Sequence, residues 1–92
     1  MLEIVKKVKH LSMGKALNTI QDVAERVLSK RRWRQYLIDS SKDAKECDGL
    51  DGILLNGEYF DWREFTRKKD DMVKAYLRYF TDDELTLIAN AM

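Results

Sequence analysis

The stretch Ile53-Leu54-Leu55-Asn56-Gly57-Glu58-Tyr59-Phe60 constrains the fold more than any other part of the chain. Asn and Gly accept positive φ at little steric cost, so the Asn56-Gly57 pair favours a two-residue type I′ turn. The residues on either side suit strands, and together they predict a β-hairpin. Two strands alone are marginal in water, so this hairpin needs helices to lean on.

Helical spacing supplies them. Ile4, Val5, Val8 and Leu11 recur on one side of a segment from about Leu2 to Ser12, with Lys6, Lys7, Lys9 and His10 on the other. Gly14 is the expected stop for this helix, because glycine tolerates the left-handed conformation that ends helices. A second segment runs from about Ala16 to Ile38. Leu17, Ile20, Val23, Ala24, Val27 and Leu28 form its stripe, and Trp33, Tyr36 and Leu37 form a new apolar cluster. Trp33 lies about 240° round from Val27 at ~100° per residue. The apolar face therefore rotates near Ser29–Lys30, by a kink or by burial of one long helix on two faces. Composition predicts a loop from Ser40 to Gly52, with or without a short helical turn.

Beyond the hairpin, Asp61 and Glu64 form a capping box for a third helix reaching about Tyr79, with Trp62, Phe65, Met72, Val73, Tyr76 and Leu77 at helical spacing and only Arg67–Asp71 fully polar. Thr81 and Glu84 form a second capping box, launching a last helix whose inner face is Leu85, Ile88, Ala89 and Met92. Proline is absent, so nothing interrupts the helices. The expected fold is mainly α, with four helical segments and a small central β-hairpin in the order α-α-β-β-α-α. It forms a single compact domain over residues 1–92.

Composition narrows the function classes. The one cysteine, Cys47, allows no intrachain disulfide, and with the one histidine, His10, it makes no zinc set. No apolar run approaches the ~20 residues that span a bilayer, and lysines interrupt the N-terminal apolar stretch, which excludes a signal peptide. A cytoplasmic protein without membrane contact is expected. In the segment around Gly52, a calcium loop would put Cys47 and Gly49 where oxygen ligands belong, so that reading fails. Catalysis finds no constellation: His10 lies among lysines, Cys47 sits between Glu46 and Asp48 where a nucleophilic anion is repelled, and no glycine-rich phosphate loop is present. We expect no enzyme, no cofactor and no metal.

Charge is unevenly placed. Residues 1–38 hold nine Lys/Arg against three Asp/Glu, and residues 39–92 hold eight against thirteen, giving +6 and −5. Such a split marks either a binding surface or two halves that pack on each other. The basic turn Lys30-Arg31-Arg32-Trp33-Arg34 is the candidate partner-binding site, since Arg and Trp are enriched in interface hot spots. The exposed side of the hairpin is a further candidate, and the aromatic surplus at Trp33, Tyr36, Tyr59 and Trp62 supports a contact surface. The expected function is a non-catalytic protein-binding regulator or inhibitor that docks on a larger protein or nucleoprotein. Nucleic-acid binding through the basic half is the alternative: the cations encircle the helix, which suits phosphate contacts and not base readout. Apolar stripes on two faces also leave room for a second copy, and a homodimer is expected.

Overall fold

In the computed structural model, which describes residues 2–65 and 67–92, three helices start on a side-chain hydroxyl. Ser12 accepts the Lys15 N–H at 3.4 Å and opens α2 (Met13–Val27). Ser29 accepts the Arg32 N–H at 3.2 Å and opens α3 (Lys30–Glu46). Thr81 accepts the Glu84 N–H at 3.2 Å while the Glu84 carboxylate accepts the Thr81 N–H at 2.7 Å, the reciprocal box that opens α5 (Asp82–Ala91). The remaining elements are α1 (Leu2–Val8), the strands β1 (Gly52–Leu55) and β2 (Glu58–Asp61), a 3-10 turn at Trp62–Glu64, and α4 (Lys69–Leu77).

The hairpin stands where the sequence placed it. Asn56 and Gly57 have φ of 54° and 82°, as a type I′ turn requires. Ile53 pairs with Phe60 and Leu55 with Glu58. Leu55 and Phe60 are buried and Ile53 packs against the core, so this face points inward, while Tyr59 is exposed on the other. The tip is anchored from two helical directions. The Asn56 N–H donates to the Asp43 carboxylate at 2.6 Å, and the Tyr79 hydroxyl donates to the same carboxylate.

Helix boundaries depart from expectation in four places. Gly14 does not end the first helix; it lies in the first turn of α2, and α1 stops at Val8. The long second helix is two helices, because Leu28 and Ser29 are extended (ψ 154° and 153°) and turn the chain where the apolar stripe rotates. The expected loop after Ser40 is helical as far as Glu46; its polar composition reflects an exposed helix, not an absent one. Asp61 closes β2 and caps only the 3-10 turn, accepting the Arg63 N–H at 2.8 Å. Glu64 pairs with Lys68 at 3.1 Å instead of reaching back, and α4 begins at Lys69. Thr66, inside the expected helix, lies outside the described residues.

The principal extents of 34 × 29 × 18 Å leave room for two layers of elements. α1 and α2 pack against α4 and α5, while α3 packs against β1. Ile4, Ile20, Met72, Leu77 and Ile88 are fully buried in the helical part. Tyr36 carries α3 into the same core, stacking on Phe80 with centroids 5.2 Å apart and meeting Tyr76 and Tyr79 edge-on. Its hydroxyl is hydrogen-bonded to that of Tyr76. Helix ends are closed by lysines from distant elements. The Lys69 ammonium donates to the carbonyls of Lys9 (2.6 Å) and Leu11, beyond the end of α1, and Lys7 donates to the Ala89 carbonyl near the end of α5.

Two glycines should respond oppositely to alanine. At Gly52 a Cβ would lie 2.2 Å from the Phe60 carbonyl oxygen and 2.7 Å from the Tyr59 hydroxyl. At Gly14 nothing lies within 4 Å. Urea unfolding should show Gly52→Ala destabilised by roughly 2–4 kcal/mol, because backbone must move, and Gly14→Ala stabilised by about 0.5 kcal/mol through helix propensity.

Candidate partner-binding face

The basic turn opens α3, so its five side chains fan out around a helix instead of sharing one face. Arg32 points inward. Its Nε lies 2.9 Å from each Glu84 carboxylate oxygen, and its guanidinium also donates to the Tyr79 carbonyl. Glu84 is the capping residue of α5, so this one contact fixes the start of α3 to the start of α5. Trp33 is half-buried against the core and stacks on Tyr36, with centroids 4.9 Å apart. Lys30, Arg31 and Arg34 are exposed and make no ion pair among the described residues.

The two charge halves therefore interlock at a single ion pair among the described residues, Arg32–Glu84. The other pairs, Asp61–Arg63, Glu64–Arg67, Glu64–Lys68 and Glu58–Arg78, all lie within the acidic half. Most basic charge of the N-terminal half faces solvent.

One turn beyond the basic cluster lies a feature that the sequence reading assigned to the core. Leu37 is 45% exposed and the adjacent Ile38 47% exposed. With Arg34, Ser41, Lys42 and Lys45 they line a shallow depression along the outer side of α3. Of the helix's seventeen residues only Tyr36 is buried. Leu37 was grouped with Trp33 and Tyr36 because successive apolar residues at three and four positions fit more than one face. The spacing Arg34, Leu37, Ile38, Ser41, Lys45 is itself a helical stripe, and that is the signal that would have found this face. On the flank, the Gln35 amide donates to Asp39 at 3.1 Å and Asp43 holds the hairpin tip, so these two carboxylates have partners within the chain. The outer face is left cationic around an apolar pair.

No protein-family model, curated protein or solved structure matches the chain. Among the described residues no helix is long and apolar enough to cross a membrane, and no group of His, Cys, Asp and Glu side chains converges to hold a metal ion.

Glu84 gives the Arg32 clamp a pH dependence. Partial burial alone would push its carboxyl up, but hydrogen bonds from the Thr81 N–H, the Arg32 guanidinium and the Thr81 side chain outweigh that and hold it below the ordinary value. A group depressed in the folded state contributes stability above its unfolded pKa and loses it as pH falls through the folded one. Chemical denaturation should therefore show stability declining below about pH 4.5, the ordinary glutamate value. Glu84→Gln should flatten that part of the profile. At neutral pH, Arg32→Ala should cost roughly 1.5–3 kcal/mol as a charged hydrogen-bonding partner is removed, while Arg31→Ala should stay within about 0.5 kcal/mol.

Proposed function

We propose that the chain is a small non-catalytic protein-binding module, a regulator or inhibitor of the larger protein on which it docks through the outer face of α3. One observation carries the reading: a seventeen-residue helix that buries only Tyr36 and presents Leu37 and Ile38 inside a ring of cations. Exposed apolar residues scattered singly need no explanation, but an adjacent pair on a helix face rimmed by charge has the make-up of an interface centre. Of the basic turn, Lys30, Arg31 and Arg34 belong to this surface, joined by Lys42 and Lys45, while Arg32 and Trp33 position it from within.

The partner that fits is an acidic segment carrying apolar side chains. Carboxylates would meet Arg34, Lys42 and Lys45, and apolar groups would cover Leu37 and Ile38. A nucleic-acid backbone would satisfy the cations and leave the apolar pair uncovered, so it fits less well. A second copy of this chain could meet the face with its own Leu37 and Ile38, but that would set the same cations of both copies against each other, so self-association fits less well.

The test is crosslinking from a photoreactive residue at position 37, identification of the captured protein, and remeasurement of its binding in purified form. Ile38→Glu and Arg34→Glu should each weaken the purified complex tenfold or more, a loss of about 1.4 kcal/mol, with His10→Ala unchanged. Equal affinity of Ile38→Glu and the parent chain would remove this face. Salt-sensitive binding to DNA or RNA that survives Ile38→Glu would replace the reading with the nucleic-acid one, and a dimer by light scattering that Ile38→Glu dissociates would assign the face to self-association.

A further inference from the structure

The side of α3 that faces the hairpin carries a separate site. Between α3, the hairpin and the end of α4 lies a cleft of about 380 Å³. Sites for small molecules run from about 300 to 1,000 Å³, are mostly apolar, and carry a few placed polar groups. The walls meet each condition. Tyr36, Tyr76 and Tyr79 come from the aromatic cluster, Ile53 and Leu55 from the hairpin, and Trp62 stands at the rim, 51% exposed.

The polar inventory of this cleft is what specifies a ligand. None of its lining residues is charged, so the site offers no ion-pair partner to an anion or a cation. The Tyr36 and Tyr76 hydroxyls are bonded to each other, the Tyr79 hydroxyl to Asp43, and the Cys47 thiol donates to the Gly52 carbonyl at 2.9 Å. The Ser40 hydroxyl alone is buried without a partner among the described residues. A buried hydroxyl left unbonded is destabilising, and native structures leave few of them. Ser40 lines the cleft, and a hydroxyl both donates and accepts.

We propose that this cleft binds a small, uncharged, planar aromatic molecule carrying one hydrogen-bonding group, of the phenol class, with its ring against the tyrosine and tryptophan walls and its polar group on the Ser40 hydroxyl. Aromatic walls favour a flat ring over an aliphatic chain through offset and edge-on stacking. The buried Ser40 hydroxyl, the one lining oxygen without a partner among the described residues, places that polar group. The site does not rest on the outer depression of α3: none of the residues lining that depression lines the cleft.

The test is a titration of isotopically labelled protein with phenol and, separately, with toluene, followed by amide and indole resonances. Phenol should cause saturable shifts at Ser40, Leu54 and the Trp62 indole N–H, and should bind more tightly than toluene. Ser40→Ala removes the hydroxyl without filling the cleft. It should weaken phenol roughly three- to tenfold, the range of one neutral hydrogen bond, and leave toluene unchanged. Because the hydroxyl has no partner to lose, Ser40→Ala should also keep or raise the thermal midpoint, whereas a hydroxyl with a structural bond would lower it. Ser40→Leu should abolish binding of both compounds. Ile38→Glu should bind phenol like the parent chain, which separates failure of this site from failure of the docking face. Absence of saturable shifts with phenol, parity of phenol with toluene, or indifference of phenol to Ser40→Ala would each overturn the assignment.

Discussion

The attachment of α3 governs everything else in this molecule. That helix gives only one fully buried side chain, Tyr36, to the core, and Tyr36 stacks between Trp33 on its own helix and Phe80 beyond the end of α4. Two polar contacts position what the aromatic stack holds. Arg32 fixes the N-terminal end through Glu84, and Asp43 fixes the C-terminal half through the hairpin tip. A helix so sparsely buried gains little from burial of apolar area, so its orientation depends on the geometry of these few contacts. Those contacts decide which side chains face outward and how wide the gap to the hairpin is.

What was legible in the sequence was what depends on near neighbours. The Asn56-Gly57 turn and the Thr81–Glu84 box are local chemistry, and both stand as read. The rotation of the apolar stripe at Ser29–Lys30 was legible too, but whether the chain kinked, bent or broke there was not. The answer came from two extended residues, Leu28 and Ser29, and from the Ser29 hydroxyl restarting a helix. The Ser40–Glu46 segment read as a loop because an exposed helix and a loop share the same polar residues, and only packing of Tyr36 and the hairpin distinguishes them. Asp61 and Glu64 had capping-box spacing, yet the strand pairing of Asp61 with Gly52 took precedence over a helix start there.

The candidate site was half legible for the same reason. A run of cations around a tryptophan is visible to anyone reading the chain. Which arginine turns inward is set by Glu84, fifty-two residues away, and no local pattern encodes that. Leu37 looks like core in sequence and, with Ile38, is surface in the fold, because α3 turns Tyr36 and not Leu37 toward the other elements. The cleft on the hairpin side of α3 is further from view still. It is a property of the gap between a helix and a hairpin, and the unbonded hydroxyl of Ser40 becomes visible only when that gap has walls.

The lysine that closes α1 has a consequence for how the fold comes apart. α1 spans seven residues, too few to hold helical shape unaided in water. The carbonyls just past its end are held by an ammonium that arrives from α4, some sixty positions along the chain. The N-terminal helix therefore leans on the C-terminal part of the chain, on α4 through Lys69 and on α5 through the Lys7–Ala89 bond. Those contacts tie one end of the polypeptide to the other, so loosening of the C-terminal helices would release the first helix with them.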